Sequence, residues 1–186
     1  MRIVFAGTPE FAVPALNIFS DNELCAVLTM PGRQFGRNTV VSNMAINNAA
    51  LDRKLKILQP ERLDQDFVIQ VQRLKPDLLL SVAYGKIFRS SFLGVFPHGG
   101  LNLHPSLLPE LRGPAPIAAA IRLGLKVTGV SIQKICSEVD AGDIIVQKKH
   151  PLSGTETTKS LSVQLSRIGA GALREAVDAI EKGVER

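Results

Sequence analysis

Two periodicities share this chain. Short apolar runs of strand length alternate with longer stretches in which apolar residues recur every three or four positions. Residues 2–6 form the first run, and Gly7-Thr8-Pro9-Glu10 breaks it with a tight turn. Phe11, Ala15, Ile18 and Phe19 then predict one face of a helix, with Pro9 and Glu10 at a start that tolerates a missing N–H and a negative charge. A strand is predicted over 24–29, a helix over 44–53, a brief strand over 56–58 and a helix over 62–74. Pro76-Asp77 introduces residues 78–84, whose continuous rather than alternating apolar pattern marks a strand covered on both faces. Gly100–His104 reads as a short strand that Pro105 stops, since proline cannot donate to a ladder. A helix after the proline-rich segment leads to strands near 128–135 and 143–149. The last helix carries Leu161, Leu165, Ile168, Ala172, Ala176 and Ile180 along one face. Strands alternating with helices predict an α/β fold, a mostly parallel twisted sheet covered by helices on both faces.

Composition narrows the class. A chain of 186 residues, 45% hydrophobic and 21% charged, suits one soluble domain able to bury a full core. No apolar run reaches membrane-spanning length, and the apolar start at Met1 is too short for a signal peptide. Cys25 and Cys136 sit in apolar segments without metal-ligand spacing, so both are expected to be reduced core residues of a cytoplasmic protein. A net charge of +5 permits an anionic partner without requiring one.

The candidate chemistry starts at the end of the strand before Pro105. Side chains alternate along a strand, so Asn102 and His104 point to one side and Leu101 and Leu103 to the other. An amide and an imidazole thus stand together where a strand passes into a loop, the edge at which open α/β sheets bind ligands. Two further strand ends join the candidates: the acidic turn Val139-Asp140-Ala141-Gly142-Asp143-Ile144, and Ala83-Tyr84-Gly85-Lys86-Ile87. Other chemistries are excluded. Gly7-Thr8-Pro9-Glu10 lacks the glycine spacing of a dinucleotide-binding turn and puts proline where the backbone must approach a pyrophosphate. There is no Gly-x-Ser-x-Gly elbow and no Walker-type loop, and His98, His104 and His150 are not spaced as a zinc pair, so no metal is expected.

Five ordered blocks then resemble one family. Phe5-Ala6-Gly7-Thr8-Pro9-Glu10-Phe11-Ala12-Val13-Pro14, Val82-Ala83-Tyr84-Gly85, Asn102-Leu103-His104-Pro105-Ser106-Leu107-Leu108-Pro109, Arg112-Gly113-Pro114-Ala115-Pro116-Ile117 and Asp140-Ala141-Gly142-Asp143-Ile144 span nearly the whole chain. Together they resemble the catalytic domain of the folate-dependent formyltransferases, with the first and fourth blocks similar to the methionyl-tRNA branch. The resemblance implies a Rossmann-like formyltransferase fold over 1–186, without the family's C-terminal β-rich tRNA-binding domain. It implies 10-formyltetrahydrofolate as donor, initiator methionyl-tRNA as acceptor, a role in translation initiation, no metal, and a monomer. It implies a catalytic Asn102, His104 and Asp140, with Asp143 as the competing carboxylate. Asn102 and a protonated His104 would donate to the oxygen of a tetrahedral intermediate, an effect worth about 3–4 kcal/mol per donor. Asp140 would favour the charged imidazole or take a proton from the attacking amine.

By the same resemblance, Tyr84, Gly85, Ile87, Ser106, Leu107, Val139, Ala141 and Gly142 contribute to the folate pocket, in part through backbone groups. A structural role for Tyr84 and a loop-shaping role for the Ser106 hydroxyl stay open beside it. The segment 31–42 holds two glycines and two arginines and no acid, and reads as a mobile basic loop where the tRNA-acting branch carries an insertion. Arg33 and Arg37 would meet phosphates, Phe35 would wedge against bases, and Arg112 would face the acceptor. The branch usually continues from Gly-Arg with another glycine and lysines, whereas this chain has Asn38-Thr39-Val40-Val41, so a weaker and less salt-dependent tRNA contact is expected. Competing readings are formyl transfer to an amino sugar nucleotide, hydrolysis of the formylated folate, and a non-catalytic folate- or tRNA-binding module.

Overall fold

The chain divides into two units, Met1–Gly100 and Leu101–Arg186. The structure is a computed structural model and describes residues 1–35, 40–42 and 45–183, with 33–35 and 40–42 described by their backbone alone. The first unit opens with β1 (Ile3–Gly7), buried at every position. A single turn of 3-10 helix at Glu10–Ala12 leads into α1 (Val13–Asn17), with proline in its first turn. There follow β2 (Leu24–Leu28), β3 (Arg33–Phe35), β4 (Val40–Ser42), α2 (Ala45–Asp52), β5 (Ile57–Leu58), α3 (Gln65–Gln72), β6 (Leu78–Val82) and α4 (Ser90–Leu93). β1 pairs in parallel with β2 and with β6, and β2 pairs in parallel with β5. Every position of β1 and β6 is buried, and all but Ser81 are without a polar side chain, which is what a parallel strand covered on both faces needs. Asp64 caps α3 by accepting from the Phe67 N–H, and the Arg2 guanidinium closes the other end on the Leu74 and Lys75 carbonyls.

The second unit carries β7 (Gly100–His104), α5 (Pro116–Arg122), β8 (Val127–Lys134), β9 (Ile144–Pro151) and α6 (Thr158–Glu181). β7 and β8 are antiparallel, as are β8 and β9. The α/β class and the mostly parallel sheet follow the pattern; the β8–β9 hairpin departs from it. The short segment joining these strands has no helix to carry a parallel crossover, so the chain can only turn back. α6 starts from a capping box in which Thr157 and Ser160 satisfy each other's backbone N–H groups. Its apolar face buries Leu161, Leu165, Ala172, Ala176 and Ile180 as the spacing predicts. Gly169 lets the helix close on β7: a Cβ there would sit 2.6 Å from Leu103 Cδ1.

Three expectations need correction. Within 31–42, β3 and β4 form an antiparallel ribbon rather than an irregular loop, Arg33 opposite Ser42 and Phe35 opposite Val40. Strands of three residues are too short to display a period of two. α4 is absent from the sequence-based elements for the same reason, four residues being barely one helical turn. Cys136 is exposed and Cys25 only half-buried, so neither is a core residue, although both are free thiols.

Candidate active site

The alternation of β7 sets the site. Leu101 and Leu103 are buried apolar side chains on one face, while Asn102 and His104 share the other. Antiparallel register extends that polar face: Asn102 lies opposite Gln133 and His104 opposite Ser131 on β8, and Ser131 lies opposite Gln147 on β9. Five polar side chains from three strands thus form one row, and buried polar groups must find partners.

Ser131 shows how they do. Its hydroxyl donates to the Ser106 carbonyl at 2.7 Å and accepts from the Leu108 N–H at 3.0 Å. Gln147 Nε2 donates to Ser131 Oγ at 2.9 Å and to the Leu108 carbonyl at 3.0 Å. Ser106 Oγ donates to the Glu110 carbonyl at 2.6 Å. The sheet therefore holds the loop after Pro105 by its backbone. The Leu108–Pro109 peptide within that loop is cis. Leu111 takes a left-handed conformation, φ 56°, and its carbonyl lies 2.9 Å from His104 Nε2. A carbonyl only accepts, so that nitrogen carries a proton.

Asp140 completes the cluster. It too is left-handed, φ 51°, a conformation that strains a non-glycine residue and recurs at functional sites. Its Oδ1 accepts from Gln133 Nε2 at 2.8 Å and from Asn102 Nδ2 at 3.3 Å. Its Oδ2 accepts from the Gly113 N–H at 2.9 Å and lies 3.4 Å from His104 Nδ1. Both ring nitrogens of His104 thus face acceptors. The side chains of His104 and Asp140 are only 6% and 11% exposed, so water screens their attraction little. Gly142 makes the turn possible, because a Cβ there would lie 1.8 Å from the Lys134 carbonyl oxygen. The Asp143 carbonyl accepts from the Lys134 N–H just before β9 begins, a backbone role apart from the cluster.

The structure brings the side chains of Asn102, His104 and Asp140 together; strand alternation paired the first two, and only the family resemblance added the third. Ser106 is buried, with its hydroxyl turned to the loop itself, and Leu107 is half-buried. Val139 is exposed and Ala141 half-buried beside Asp140. Arg112 Nη1 lies 3.6 Å from Glu138 Oε1, an exposed pair of small energetic weight. In the first unit, the Tyr84 ring is buried and stacks on Phe88 with centroids 5.4 Å apart. Burial pushes its phenol pKa up to about 12. Gly85 has φ 90°, which suits glycine, and Ile87 is 73% exposed. Arg33 belongs to β3, and Arg37 lies outside the described residues.

Sequence reasoning missed Ser131, Gln133 and Gln147, and the backbone groups of Leu111 and Gly113. Ser131 and Gln133 carried a signal, being polar residues two apart that alternate with apolar Val130 and Ile132. Backbone donors and acceptors carry none. Among the described residues, no group of three His, Cys, Asp or Glu side chains could hold a metal, and no helix is long and apolar enough to cross a membrane.

Comparison with known proteins follows this geometry. Residues 1–177 match the family described as formyl transferase. The chain is 40% identical to methionyl-tRNA formyltransferase of Treponema denticola, over 100% of this chain and 61% of that protein. It is 39% identical to methionyl-tRNA formyltransferase of Borreliella burgdorferi, over 98% of this chain and 59% of that protein. The chain thus spans about three-fifths of the length of these relatives. Its fold is that of phosphoribosylglycinamide formyltransferase from Bacillus halodurans, with a TM-score of 0.81 at 18% identity, covering 100% of this chain and 97% of the other.

Proposed function

Because the chain belongs to the formyl transferase family, we propose that it moves a formyl group from 10-formyltetrahydrofolate to the amino group of initiator methionyl-tRNA. The observation that carries the reading is the convergence of Asn102, His104 and Gly113 on the Asp140 carboxylate. Identity near 40% to proteins named for that acceptor favours it over an amino sugar.

In this reading the neutral amine of the aminoacyl group attacks the formyl carbon. A carbon–nitrogen bond forms, the bond to the folate nitrogen breaks, and one proton passes from the amine to that nitrogen. Negative charge collects on the formyl oxygen between these events. One N–H of the Asn102 amide is directed at Asp140, and its second N–H is free to meet that oxygen. His104 Nε2–H rests on the Leu111 carbonyl, and an anionic oxygen is the stronger acceptor, so it draws the proton donor across. Asp140 holds the imidazole in orientation and stabilises its charged form as the barrier is crossed. The carboxylate also relays the amine proton.

The positions that the resemblance assigns to the folate are the backbone of Tyr84, Gly85 and Ile87 in the first unit and Val139, Ala141, Gly142, Ser106 and Leu107 in the second. Ser106 contributes loop shape, its hydroxyl being committed to Glu110. Arg33, Arg37 and Arg112 meet tRNA phosphates, which makes binding salt-sensitive. The test is to incubate the protein with 10-formyltetrahydrofolate and either methionyl-tRNA or an amino sugar nucleotide, and to weigh the acceptor. Formylated methionine is the expected product. Formylation of the sugar alone overturns the acceptor, and formylation of neither overturns the reaction.

A further inference from the structure

Gln133 stands out among the groups around Asp140. It is 2% exposed, rises from β8 opposite Asn102, and makes the shortest hydrogen bond to the carboxylate, 2.8 Å from Nε2 to Oδ1. Its own Oε1 is buried and has no hydrogen-bond partner among the described residues. Turning the amide over would set Oε1 against Oδ1, two acceptors with no proton between them. The orphan oxygen is thus the consequence of keeping Nε2 on Asp140, and a buried polar atom left unpaired is costly.

We infer that Gln133 is a positioning residue for the reaction, acting through Asp140 and Asn102. The inference rests on the formyl-transfer reading. With Gln133 on Oδ1, the carboxylate is fixed in rotation and Oδ2 stays toward His104 Nδ1, 3.4 Å away. The Asn102 contact to the same oxygen is long, 3.3 Å, because the better donor already holds it. Asn102 is therefore able to turn toward the formyl oxygen without leaving Asp140 unsupported. Remove Gln133, and Asn102 becomes the remaining side-chain donor on Oδ1 and tightens onto it.

Two variants test this. Gln133→Met keeps the volume and removes the donor. Its kcat is expected to fall about tenfold, the worth of one hydrogen bond to a charged group, with the KM for the folate donor unchanged. Gln133→Glu keeps the shape and places a second carboxylate against Asp140. Among the described residues, the titratable groups facing that position are Asp140 and, across it, His104 on β7; Asn102 and the Gly113 N–H are neutral. Two carboxylates at this separation share one proton. The kcat of Gln133→Glu is therefore expected to show a loss with rising pH in addition to any that the wild type shows. A pH profile parallel to the wild type, or a Gln133→Met kcat within about twofold of it, overturns the inference, since a role in folding alone moves neither. Should the wild type formylate no acceptor, the formyl-transfer reading falls by itself. The nitrogen NMR signals of the His104 ring then decide Gln133 separately: they shift at Nδ1 in Gln133→Met if it positions Asp140, and unchanged signals overturn it.

Discussion

Two strand ends in this protein each bury an aromatic ring with a polar atom, and they treat it in opposite ways. After β6, Tyr84 is 2% exposed, its ring lies in a stack with Phe88 and Phe92, and its hydroxyl has no partner among the described residues. After β7, His104 is 5% exposed, and each of its ring nitrogens faces an acceptor. Equal burial thus gives one ring held by stacking and one whose two nitrogens each face an acceptor. The difference lies in the neighbours: phenylalanines around Tyr84, the Leu111 carbonyl and the Asp140 carboxylate against His104. Burial alone identifies no functional residue; the partners supplied with it do.

The comparison can be broken most decisively at His104. His104→Ala is expected to lower kcat by about 10²–10⁴-fold while the KM for the folate donor stays near the wild-type value. A KM that rises in proportion as kcat stays constant would make the ring a binding group. Ser131 gives the next largest effect, on stability. Ser131→Ala leaves the Leu108 N–H without its acceptor and frees the loop that carries Leu111. About 2 kcal/mol of unfolding free energy should be lost, measured by denaturant titration.

Tyr84 sharpens the other side. Tyr84→Phe keeps the stack and deletes a hydroxyl that has no partner among the described residues. Stability should hold or rise by up to about 1 kcal/mol, and a drop in the same titration would reveal a hydrogen bond at that oxygen. Glu156 extends the comparison to solvent. Its carboxylate accepts from the Ser153 N–H, the Ser153 hydroxyl and the Gly154 N–H, which lower its pKa from 4.5 to about 2. A lowered folded-state pKa stabilises the fold above the ordinary carboxylate range, and that contribution fades as pH falls from 4.5 toward 2. Glu156→Gln should be less stable than the wild type near neutrality and should narrow the gap on acidification through that window, followed by circular dichroism. The effect is the smallest of the set because water screens an exposed group.

Much of this was legible in the residues. Continuous apolar runs marked β1 and β6 because a strand covered on both faces has no polar side to show. The three- and four-residue spacing marked α6 over its length. Asn102 and His104 could be set on one face because side chains alternate along any strand. The β3–β4 ribbon and α4 escaped because a few residues cannot express a period. Cys136 lay in an apolar stretch and still faces solvent, since local hydropathy does not say which side of a turn is covered.

The sequence by itself determined the α/β class, the strand that presents an amide beside an imidazole, and the acidic turn that could serve them. These follow from periodicity and residue chemistry, which act over a few neighbouring positions. Only the tertiary structure decided that Asp140 reaches both of those side chains, that Gln133 grips the Oδ1 that Asn102 also meets, and that a left-handed Leu111 offers its carbonyl to the ring. Those contacts join residues 7 to 38 positions apart through strand register and backbone atoms. Backbone atoms are the same in every residue, so no reading of side chains along the chain could foresee which of them would meet.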